Sequence, residues 1–199
     1  MLYRTPSNSI TTRAFGLVEL MVSISIMALL TTVVVTRQSS FNGAVLLRNQ
    51  AYEVAFTLRQ AQMLAVSGGD ESTRRYGVFF DTSTPTQHTY TLFGDTNNNG
   101  TFDAGEQLGL VGKLDRRFEI RALSLPDVSS LHTTMGITFL RPNFDGYFCV
   151  NSSGCTTLGA YTNGVASVHV ARTDVTTNGT GDVRRVEVTR TGQIAVVTY

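Results

Sequence analysis

Residues 15–35 read FGLVELMVSISIMALLTTVVV, and the reading of this 21-residue run decides the architecture of the rest. At 1.5 Å per residue it makes about 31 Å of helix, the thickness of a bilayer's hydrocarbon core. Arg4 and Arg13 precede it and no Asp or Glu does. That charge bias places residues 1–14 on the cytoplasmic side and the rest of the chain across the membrane. An ordinary secretory signal has a shorter apolar region, roughly 7–15 residues, followed by a small-x-small cleavage site. This run is longer, ends in Thr-Thr-Val-Val-Val and carries an acid, Glu19, five positions in. A carboxylate in lipid costs on the order of a few kcal/mol, less near the interface, so inside a spanning helix it is normally kept for a partner.

Beyond the run, QSSFNG (38–43) is a polar interruption at which Gly43 is expected to kink the helix. Leu47, Ala51, Val54, Leu58, Ala61 and Ala65 then recur at alternating gaps of four and three, the apolar stripe of an amphipathic helix. Arg48, Asn49, Glu53, Arg59, Gln60 and Gln62 lie off that stripe. No proline occurs between residues 7 and 84 and Gly68-Gly69 supplies a stop, so the expectation is one helix over 15–67, ~80 Å long. The stripe is too short and alanine-rich for a free coiled coil; it needs a sheet to lie against.

The remainder alternates short apolar runs with turns. Strands are expected at 76–81, 90–94, 108–114, 118–123, 137–140, 146–150, 165–172, 183–190 and 194–199, the last two joined by a hairpin at Thr191-Gly192-Gln193. Arg185 to Arg190 alternate strictly between polar and apolar, the mark of a half-buried strand. The expected class is α+β: a long N-terminal helix, half membrane and half amphipathic, packed on an antiparallel β-sheet head. The expected division is a leader (1–14), a transmembrane helix (15–36), an amphipathic helix (37–67) and a β-rich head (68–199). The net charge of +1, with 16% charged residues, calls for no nucleic-acid or acidic partner.

Cys149 and Cys155 are the two cysteines, five small or polar residues apart. Without a second pair or a nearby His they make a poor zinc site, and a short-loop disulfide is the better reading. It would remove roughly 2–2.5 kcal/mol of loop entropy from the unfolded chain and implies an oxidising compartment.

The segment RAFGLVELMVSISIMALL (13–30) resembles the class III signal of type IV pilins and type II secretion pseudopilins. The resemblance implies that a prepilin peptidase cuts between Ala14 and Phe15 on the cytoplasmic face and N-methylates Phe15, leaving Glu19 as the fifth mature residue. The departures are Ala14, where the family usually has Gly, and Gly16 as the second mature residue. In such filaments the glutamate pairs with the N-terminal ammonium of an adjacent subunit, which would make Glu19 an assembly device. The loop DTNNNGTFDAGEQL (95–108), the segment FLRPNFDG (139–146) and RRVEVTRTGQI (184–194) extend the resemblance to the FimT/GspH branch of minor pilins and pseudopilins. What it implies is a pilin-like structural subunit that primes or caps a type IV pilus or type II secretion pseudopilus. It would be inserted in the inner membrane with its head in the periplasm, and its partners would be the peptidase, membrane lipid and other pilins or pseudopilins.

Two further readings attach to the head. Counted from Asp95, oxygen ligands fall at Asp95, Asn97, Asn99, Asp103 and Glu106, with Gly100 sixth and the Thr101 carbonyl seventh, which is the register of an EF-hand calcium loop. Its flank at 90–94 reads as strand instead of an entering helix, and the same residues also suit a polar Asn/Gly turn. A calcium-binding adhesive tip module is one alternative function. The other is a DNA-binding minor pilin for natural transformation, since some FimT-like proteins bind DNA through a Gly-Arg-x-Arg element. Residues 192–195 read Gly-Gln-Ile-Ala, lacking both arginines, and Arg184 and Arg185 fall on opposite strand faces, so no convergent basic surface is expected. His88, His132 and His169 are scattered, with no metalloprotease or nucleophile-elbow spacing, so no enzymatic activity is expected.

Overall fold

A computed structural model describes residues 16–68, 73, 75–125, 128–142, 144–151, 164–175 and 182–198. Helix α1 runs unbroken from Leu17 to Ser67. The chain parts into two compact units between Asn42 and Gly43. In the first, residues 17–35 are exposed throughout. In the second, each residue of the anticipated stripe (Leu47, Ala51, Val54, Leu58, Ala61 and Ala65) is fully buried, and Ala55 joins them. The small alanines let the helix backbone approach its neighbours closely, while Leu47, Val54 and Leu58 each contribute about 1.5–3 kcal/mol by leaving water. The helix ends where Gly68 turns left-handed at φ +81°, the usual glycine C-terminal stop. At Gly43 the helix continues. A Cβ there would lie 2.9 Å from Nη1 of Arg172, whose guanidinium is itself held by Asp174.

Among the described residues the head contains ten strands: β1 (Arg75–Asp81), β2 (Thr89–Asp95), β3 (Gly112–Lys113), β4 (Phe118–Leu125), β5 (Val128–His132), β6 (Thr134–Leu140), β7 (Gly146–Val150), β8 (Val165–Arg172), β9 (Val183–Thr189) and β10 (Ile194–Thr198). Where the sequence suggested one antiparallel sheet, the structure has two of five strands each, ordered β3-β2-β1-β6-β7 and β10-β9-β8-β4-β5. Every pairing is antiparallel. Both sheets turn alternate residues inward. Val78 sits between Leu92 and Ile137 in the first, and Val168 is paired with Val186 in the second. These side chains and the α1 stripe form one apolar core.

One strand expectation needs correction, and one strand is new. The candidate at 108–114 shrinks to Gly112–Lys113, because Gly109 takes φ +71° and turns the chain, leaving Leu110 almost wholly exposed. β5 was not anticipated. The anticipated hairpin is present: Gly192 adopts φ +79°, its N–H donates to the Thr189 carbonyl, and Ile194 pairs with Val188.

The outer face of the first sheet is also covered. Residues after β2 fold back over it, and the Phe102 ring lies 5.4 Å from Phe79 and 5.6 Å from Phe93. Gly136 lies beneath that return, where a Cβ would make an ordinary contact with the Gly100 carbonyl at 3.4 Å.

Candidate functional site

The first candidate lies in the exposed part of α1. Leu17–Val35 has a mean hydropathy of 2.2 and is unburied, long and apolar enough to cross a membrane by length and composition. Its hydroxyls are internally satisfied: Ser23, Ser25, Thr31 and Thr32 each donate to the carbonyl four residues earlier. This leaves the segment's polar content concentrated in one carboxylate. Glu19 occupies the first turn of α1, where the helix macrodipole favours negative charge by about 0.3–1 kcal/mol. Among the described residues none gives that carboxylate an ion pair or a hydrogen bond. Ala14 and Phe15, the expected cleavage pair, lie outside the described residues.

The second candidate is the loop from Asp95 to Glu106. The chain turns there through positive φ at Asn98 (61°) and Gly100 (81°). Asp95 is fully buried and organises the loop: Oδ1 accepts the Asn99 N–H at 3.1 Å and Oδ2 the Gly100 N–H at 2.7 Å. The other expected ligands are drawn together but turned on one another. The side-chain amides of Asn97 and Asn99 both donate to Asp103 Oδ2, at 2.8 and 2.7 Å. Asn99 Oδ1 accepts from the Thr101 N–H and hydroxyl. Glu106 Oε1 takes the Thr96 N–H and hydroxyl, and Oε2 takes the Asp103 N–H. The donor set is one that calcium accepts, arranged here so that its oxygens close the loop. Among the described residues no three His, Cys, Asp or Glu side chains are grouped to hold a metal ion.

Sequence reasoning missed what lies beneath this loop. Arg75, which no sequence pattern singles out, is buried with Nε 3.8 Å from Asp95 Oδ2. Burial pushes the Asp95 carboxyl above the usual carboxylate range, with Glu106 acting in the same sense, against the pull of the Gly100 and Asn99 N–H groups and Arg75. The available signal was Phe102, a lone aromatic in an otherwise polar loop, which announces that the loop has an apolar surface to cover.

The remaining expected residues are dispersed. Cys149 is buried in β7 and disulfide-bonded; Cys155 lies outside the described residues. Arg185 pairs with Glu187 at 3.5 Å, and Arg184 and Arg185 occupy successive positions of β9, hence opposite faces. The histidines serve separate local contacts: His88 Nδ1 with the Phe118 carbonyl, His132 with Asn151 and His169 with Ser124.

The chain matches no protein-family profile, no curated protein and no solved structure.

Proposed function

We propose that this chain is a minor pilin or pseudopilin, a structural subunit that helps prime or cap a type IV pilus or a type II secretion pseudopilus. The observation that carries the reading is the exposed apolar segment of α1 with one carboxylate, Glu19, in its first turn. Such a surface needs apolar neighbours, and such an acid needs a cation once water is gone. Removal of residues 1–14 would free the Phe15 ammonium, giving every subunit one buried anion and one new cation four residues apart. In a staggered array the Glu19 of one subunit meets the Phe15 ammonium of the next, and the pair fixes register while residues 17–35 pack.

On this reading the chain catalyses nothing; it is the substrate of a prepilin peptidase and then a building block. It is held in the inner membrane with its head in the periplasm until neighbouring helices replace lipid. The deciding experiment is mass spectrometry of the mature N-terminus in cells with and without the peptidase. A chain beginning at N-methylated Phe15 only when the peptidase is present is expected. A start near residue 38, or an uncut chain in both strains, overturns the proposal.

A further inference from the structure

We draw no further inference here: the strongest candidate, the stripe of exposed apolar side chains Val45, Tyr52, Phe56 and Met63 along the side of α1 turned away from the head's core, carries nothing because nothing in the structure shows what covers it.

Discussion

Arg75 and Asp95 face each other across the β1–β2 ladder at a directly paired position, Nε 3.8 Å from Oδ2, with both side chains removed from water. The pair lies under the returning loop, and Asp95 serves two structures at once. Its Oδ2 is the oxygen nearest the buried guanidinium and also accepts the Gly100 N–H, while Oδ1 accepts the Asn99 N–H; these two N–H groups shape the loop. Asp95→Ala therefore strands a buried cation and two backbone donors together. The expected loss is about 3–5 kcal/mol, the usual cost of breaking a buried pair from one side. Arg75→Met costs less, because it leaves an anion that still has two N–H donors. Denaturant unfolding of residues 43–199, which form a compact unit with their own core, reads both. Equal losses for the two variants would show that Asp95 does not hold the loop.

Much of this was legible in the chain itself, and where it was not the reason is physical. The α1 stripe could be read because one helix face is buried against a continuous core, so burial leaves a 3–4 period that needs no knowledge of the partner. β9 was equally plain, since Val186 and Val188 point inward between half-exposed Arg185 and Glu187. The division into two sheets was hidden because it depends on pairings between distant segments, such as Val78 with Ile137, which leave no periodic trace. β5 contains Val-Ser-Ser-Leu-His, too polar for a strand signature. At the site level Glu19 stood out because an acid in an apolar run is costly in any setting, whereas nothing in the local sequence marks Arg75. It is buried between Asp95 on the paired strand and the Tyr147 ring of β7, a tertiary arrangement beyond the reach of local pattern.

A pH dependence follows from His169. Burial and the neighbouring Arg185 hold its imidazole below the ordinary value of 6.5. Once pH falls through 6.5 the unfolded chain takes up a proton that the folded chain resists. Stability from this group is thus complete above that pH and declines on acidification until the folded value is passed. Asp95, raised above 3.8, acts with the opposite sign, favouring the fold as it protonates. The comparison that isolates the histidine is wild type against His169→Gln. The variant should lose the downward slope of stability below pH 6.5 while retaining whatever Asp95 imposes. Parallel curves for the two proteins across that window would remove His169 from the account.

Calcium provides a test of the 95–106 loop. With Glu106 accepting from Thr96 and Asp103, and Asp103 accepting from Asn97 and Asn99, the loop is closed by its own donors. The melting temperature of residues 43–199 is expected to be the same in calcium and in chelator. A cation bound at a hundredfold excess over its dissociation constant would add about 2.7 kcal/mol, or roughly 5–10 °C for a domain of this size. A rise of that order, abolished by Asp103→Ala, would establish that the EF-hand register is a working site and that its hydrogen bonds open for the ion.

The proposed function turns on Glu19, and its removal should act in opposite directions on two steps. In lipid the carboxylate is a liability of a few kcal/mol, so Glu19→Ala should insert into the inner membrane at least as well as the native chain. In a filament the same group is the partner of a neighbour's ammonium, and its loss leaves that cation buried and alone. Breaking such a pair from one side costs about 3–5 kcal/mol, a reduction in subunit affinity on the order of a hundredfold or more. The expected result is normal membrane abundance with near-complete loss from the sheared or purified filament fraction. Glu19→Gln should behave in the same way, since it keeps the shape and removes the charge. Immunoblots of the two fractions make the measurement, and because the membrane pool reports on folding and insertion, a missing filament signal cannot be put down to degradation. Incorporation of Glu19→Gln at the native level would show that the helices pack without the ion pair.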